Sequence, residues 1–204
     1  MSDSLVLAVD TTSELGSIAL AAEGRVLEQV ALHSPDGFAH MLFGEIEQLL
    51  ARHKIKIADV QGFAAAAGPG AFTGVRVGLT AVMGLAEATG RQVVAVSNLQ
   101  ALASFGTQPL RAPVIDARRG EVFVAVYDAD LRLVSEEVVV KFDDWMSASP
   151  RGGIEIIQGA RELAGAIATI AAARFQAGLG QDPAEVDANY VRRSDAELFW
   201  RDTA

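Results

Sequence analysis

Two short acidic turns carry the residue types that could do chemistry. Asp10-Thr11-Thr12-Ser13 follows an apolar run, Leu5 to Val9, and Asp116-Ala117-Arg118-Arg119-Gly120 follows another, Pro113 to Ile115. Carboxylates so placed can orient Mg²⁺ or a water molecule for phosphoryl transfer while turn amides hold phosphate. The plainer use of such residues is structural, with Arg118, Arg119 and Glu121 pairing inside one hairpin.

A third stretch, Gly68 to Leu79 (GPGAFTGVRVGL), also invites a phosphate. The apolar run Phe63 to Ala67 leads into it and a helical pattern leaves it, reaching about Thr89. A helix start of this kind presents unpaired N–H groups. Gly68 and Gly70 can take positive φ, and Thr73 is the expected N-cap. The spacing opposes the familiar loops, however. Gly68, Gly70 and Gly74 give G-x-G-x-x-x-G, one residue longer than the dinucleotide fingerprint. Val75-Arg76 stands where a Walker A loop needs Lys-Ser/Thr. A tight strand-to-helix turn is the preferred reading.

The helix after that turn is apolar nearly all round. Val75, Leu79, Val82, Met83 and Ala86 share one face; Gly74, Val77, Gly78, Ala81, Gly84, Leu85 and Ala88 share a second, mostly of small residues. Only Arg76, Thr80 and Glu87 form a polar strip. Such a helix is buried on both sides, by its own sheet and by either another layer or another subunit. If a subunit, Leu at Gly74 or Gly78 is expected to block pairing and leave the monomer folded.

The elements that must position these turns form a repeated pattern. After the first turn come strands Ser17 to Ala22 and Val26 to Leu32, then a helix from about Asp36 to His53 and a strand from Asp59 to Ala67. The long helix, a strand at Gln92 to Val96 and a short helix at Asn98 to Phe105 complete this half. The pattern restarts with strands Glu121 to Tyr127, Leu133 to Val140 and Ile154 to Ile157, then a helix from Arg161 to Ala173. Asp10 and Asp116 hold equivalent places in the two copies. The expectation is an α/β protein of two lobes, 1–104 and 105–204, each a βββαβα unit, with a cleft at the strand ends.

Composition narrows the function classes. Of 204 residues half are hydrophobic and 21% charged, which suits a packed globular chain. The net charge of −9 opposes an unaided grip on nucleic acid, although Arg118-Arg119 and Arg192-Arg193 are local basic pairs. There is no cysteine, consistent with a reducing cytoplasm. No membrane span is expected, because Gly68-Pro69-Gly70 breaks the longest apolar run, and no signal peptide, because no basic region precedes an apolar one.

Across nearly its whole length the chain resembles the TsaB (YeaZ) family, which takes part in making threonylcarbamoyladenosine in tRNA. The likeness rests on LAVDTTSELGSIAL (Leu7 to Leu20), His40, GPGAFTGVRVGL, VAVSNLQALA (Val94 to Ala103), DARRGEVFVAVY (Asp116 to Tyr127) and NYVRRSDAEL (Asn189 to Leu198). It implies an actin/Hsp70/sugar-kinase-like (ribonuclease H-like) fold and a non-catalytic relative of the TsaD-type transferase. It further implies pairing with that transferase through the glycine turn and the following helix. The candidate interface is Gly70, Phe72, Thr73, Gly74, Arg76, Val77, Gly78, Ala81, Gly84, Leu85 and Ala88. A homodimer alone, a TsaE-type ATPase reached through the complex, and tRNA met indirectly belong to the same expectation. The candidate nucleotide cleft is Asp10, Thr11, Thr12, Asp116 and Arg118, with no cofactor beyond weak ATP or ADP binding. TsaD-like proteins hold a metal through a histidine pair at i, i+4; His33, His40 and His53 make no such pair, and His40 is read as exposed. An ATPase or kinase acting in the cleft is the alternative. A peptidase ranks last, since no HExxH or Ser-His-Asp set is present.

Overall fold

The computed structural model describes residues 5–148 and 153–191. Its layering follows from an alternation of large and small apolar residues along β1 (Leu5–Asp10), β2 (Gly16–Ala22) and β4 (Gly62–Gly68). Side chains alternate between the two faces of a strand. Leu5, Leu7, Val9, Ile18, Leu20 and Phe63 therefore fill one face, while Val6, Ala8, Ala19, Ala21, Ala64 and Ala66 fill the other. The large face is covered by α1 (Leu42–Arg52) and α2 (Phe72–Thr89). The alanine face receives α5 (Ala164–Gln176) through Ala164, Ala168, Ala171 and Ala172. Small residues on both sides bring that helix close: a Cβ on Gly62 would meet the Phe175 ring at 2.4 Å.

The first sheet also contains β3 (Arg25–Leu32) and β5 (Gln92–Ser97), in the order β3-β2-β1-β4-β5. The second holds β6 (Leu110–Arg118), β7 (Glu121–Asp128), β8 (Leu133–Lys141) and β9 (Ile154–Ile157), in the order β8-β7-β6-β9. In both, the unit's first strand lies antiparallel to its second and parallel to its fourth. The expected duplication is thus present in sheet order and strand sense. Between the copies, α3 (Asn98–Ala103) is capped by Ser97 Oγ, which accepts from Leu99 N and Gln100 N.

The structure corrects several boundaries. The second copy has a helix that the sequence reading omitted, α4 (Phe142–Ala148). α1 begins at Leu42 and not near Asp36. Gly37 takes φ +84°, and the chain turns so that Phe38 lies on Gly16, where a Cβ would meet its ring at 2.6 Å. His40 falls in this turn and is exposed. Thr73 is not the N-cap of α2; Ala71 holds that place without a side-chain cap bond.

The lobe boundary at 104/105 follows the repeat but not the packing. α5, assigned by sequence to the second lobe, packs on β1, β2 and β4 of the first. The chain after it stays there: Gln181 and Val93 exchange backbone hydrogen bonds of 2.8 and 3.0 Å, and Val186 enters the first core. The reason is area. The alanine face of the first sheet needs a cover, and α5 presents the matching small residues.

Candidate functional site at the glycine turn

β1 delivers Asp10 into a fully buried position at the head of its turn. Its Oδ1 accepts from Thr12 N at 2.9 Å and from Thr12 Oγ1 at 2.6 Å. Asp116, its counterpart, is exposed, and its Oδ1 accepts from Arg118 N at 2.8 Å. Each aspartate thus bonds the N–H two residues on, the Asx-turn geometry that organises a chain reversal. The shared role of the two is to build equivalent turns. Arg118 lies in the second reversal with φ +65°.

Among the described residues no hydrogen-bond partner meets the buried Asp10 Oδ2, although the nearby Leu163 amide eases the carboxylate somewhat. Burial pushes the Asp10 carboxyl above its ordinary range, against the lowering effect of Thr12. A carboxyl raised on folding stabilises the protein below its unfolded pKa, and that contribution is lost as pH rises through the folded value. Asp10→Asn, which cannot ionise, should therefore lose less stability than the wild type between about pH 4 and about pH 8. Urea denaturation at the two pH values checks this, and parallel losses would show that Asp10 carries no such penalty.

The glycine turn packs down on Thr11 and Thr12. Ala71 N donates to Thr12 O at 2.7 Å, and Gly68 N to Asn98 Oδ1 at 3.0 Å. Asn98 Nδ2 in turn donates to Thr12 Oγ1. A Cβ on Gly70 would lie 2.7 Å from Thr12 O. Two amides that a phosphate cradle would aim outward are thus spent inside the chain, as a tight turn requires.

On α2 the structure divides the small face in two. Gly74 and Gly78 face inward, where a Cβ would lie 2.0 Å from Thr11 O and 2.7 Å from Thr11 Oγ1. They admit Thr11 at the end of β1 of the same chain, so the expectation that Leu at either position spares the monomer is overturned. Ala81 is buried, and Val77 and Leu85 are partly so. The open sector carries Phe72, Thr73, Arg76, Thr80, Gly84, Glu87 and Ala88. A Cβ on Gly84 meets nothing within 4 Å.

The sequence reading missed the polar links around this turn. Half-buried Glu137 on β8 accepts from Ser97 Oγ and Tyr127 OH through Oε1, and from Asn189 Nδ2 through Oε2. Burial, then Glu137, pushes the Tyr127 hydroxyl pKa upward. Tyr190 lies beside Phe72 with ring centroids 5.5 Å apart, and its hydroxyl accepts from Arg76 Nε at 3.1 Å. Ser97, Asn98, Asn189 and Tyr190 sit in stretches that carried the family likeness; Glu137, in a run of β-branched residues, gave no signal of its own. Arg192-Arg193 lies outside the described residues. Among the described residues no group of three or more His, Asp or Glu could hold a metal ion, and no helix is long and apolar enough to cross a membrane.

Residues 36–183 match the family model described as TsaD, tRNA N6-adenosine threonylcarbamoyltransferase. The chain is 31% identical to the tRNA threonylcarbamoyladenosine biosynthesis protein TsaB of Bacillus subtilis, over 69% of this chain and 64% of that one. It is 34% identical to the TsaB of Escherichia coli, over 61% of this chain and 55% of that one. The chain thus spans less than two thirds of these curated relatives. A solved structure described as YeaZ from Pseudomonas aeruginosa superposes with a TM-score of 0.80 at 28% identity, over 92% of this chain and 99% of that one.

Proposed function

The chain belongs to the TsaB (YeaZ) family, with its two-lobed α/β fold of the actin/Hsp70/sugar-kinase (ribonuclease H-like) kind, and on that premise we propose that it is the scaffold or activating subunit that tRNA threonylcarbamoyladenosine synthesis requires. It docks a TsaD-type transferase on the open sector of α2 and the glycine turn. Alone, it pairs with a second copy through the same surface. A TsaE-type ATPase joins through the complex, tRNA is met indirectly, and the place of action is the cytoplasm.

The observation that supports this reading best is the start of α2. Phe72 stands 44% exposed with the Arg76 guanidinium 3.8 Å above its ring, next to Tyr190, also 44% exposed. Aromatic and Arg side chains grouped on an open helix are the residues that dominate protein interfaces. Of the two turns read as a nucleotide cleft, the first is engaged within the chain, Asp10 with Thr12, Thr12 with Asn98 and Thr11 Oγ1 with Gly74 O at 2.7 Å, while Asp116 and Arg118 of the second are exposed. A subunit without chemistry or cofactor of its own fits that arrangement.

Reconstituted tRNA modification with the transferase, the ATPase and the threonylcarbamoyl-adenylate synthase tests the proposal. Leaving this chain out should reduce modification to background, while Asp10→Asn and Asp116→Asn should support it as the wild type does. Loss of turnover in those variants with the complex still assembled would assign chemistry to the cleft and end the scaffold reading.

A further inference from the structure

The segment from Ala188 to Val191 crosses the glycine turn and touches both lobes. Asn189 N donates to Ala67 O at 2.7 Å, at the end of β4, while its side-chain amide reaches Gly68 O at 3.5 Å and Glu137 Oε2. Val191 packs against the second-lobe cluster that includes Phe123 and Ala125. Between these anchors Tyr190 meets Phe72 and Arg76.

We infer that Asn189 and Tyr190 form a strap that holds the docking surface of α2 in its binding arrangement, and that the second lobe takes part in docking through Glu137. This rests on the reading of α2 as the seat of the TsaD-type transferase. Association must order every rotamer-rich side chain it uses, and order present beforehand removes that cost. Phe72, Arg76 and Tyr190 already hold one another by a ring contact, a cation–π contact and a hydrogen bond. Tyr190 owes its position to Asn189, and Asn189 owes part of its own to a carboxylate on the other sheet. Tyr190 is then a contact residue of the partner; Asn189 and Glu137 are positioning residues.

The test is calorimetric titration of the full chain with the TsaD-type transferase of the same organism, with melting temperatures of each variant alone. Tyr190→Ala should raise Kd about 10- to 100-fold, as loss of an interface aromatic does, with the melting temperature within about 2 °C of the wild type. Tyr190→Phe keeps the ring and should stay within about threefold of it. Asn189→Asp places a second carboxylate against Glu137 and should raise Kd about 10-fold. Adding Glu137→Gln to that variant returns a donor to the pair and should restore most of the affinity. An unchanged Kd in Tyr190→Ala, or a loss that tracks a falling melting temperature and is not rescued by Tyr190→Phe, overturns the strap. Failure of the double variant to recover overturns the part given to the second lobe. If the wild-type chain does not bind the transferase at all, the docking reading falls and the strap with it.

Discussion

Gly74→Ala should unfold the chain or come close to it. The added Cβ would lie 2.0 Å from Thr11 O, 3.0 Å from Thr11 C and 3.2 Å from Thr12 Cα. All three are backbone atoms, so no side chain can turn aside. Either α2 retreats from the sheet or the end of β1 moves. A retreat breaks the 2.7 Å bond from Thr11 Oγ1 to Gly74 O and opens the layer of Val75, Leu79 and Val82. Overpacking of a core costs about 1–3 kcal/mol even where side chains can adjust, and here they cannot. A loss of about 3 kcal/mol or more is a large part of the ~5–15 kcal/mol that holds a domain together. Gly84→Ala is the control, since its Cβ meets open space and Ala favours a helix over Gly by about 1 kcal/mol. Urea denaturation followed by circular dichroism reads both. If Gly74→Ala unfolds within about 0.5 kcal/mol of the wild type, the close seat of α2 on Thr11 is wrong.

Gly84→Arg should abolish pairing with the TsaD-type transferase and leave the fold intact. Gly84 lies in the open sector with Thr80 and Ala88, and nothing in the chain crowds it. A long cation there must be desolvated under a partner helix or hold the partner off, and either way Kd should rise about 100-fold or more. Size-exclusion chromatography with light scattering separates complex from free chain, and the melting curve reports on the fold. Undiminished assembly would move the docking surface away from the middle of α2. Gly84 thus replaces Gly74 and Gly78 as the place to test pairing, because the effect of those two is already spent inside the molecule.

How much of this was legible in the sequence depends on the range of the forces involved. Among the described residues, periodicity located the cores of all nine strands and four of the five α-helices, because it reflects local alternation between water and apolar surroundings. It missed α4, whose seven residues span too few turns for a periodic signal, although Phe142 and Trp145 stand at helical spacing and pack on the second sheet. It started α1 too early, since Phe38 lies at helical spacing while its ring is fixed by Gly16, far away in the chain. The doubled unit, and with it the equivalence of Asp10 and Asp116, was visible as a repeat of residue types.

The sequence by itself determined the order of elements, the duplication, the glycine turn and the family likeness, since each is written in spacing along the chain. Only the tertiary structure decided which side of α2 is free, because a glycine in a helix reads the same whether it faces strand β1 or solvent. It also decided that Asp10 is buried while Asp116 is exposed, that α5 covers the first sheet, and that Glu137 ties Asn189 to Ser97 and Tyr127. Each of these is a contact between residues distant in sequence, made by packing area and hydrogen-bond geometry that no local pattern records.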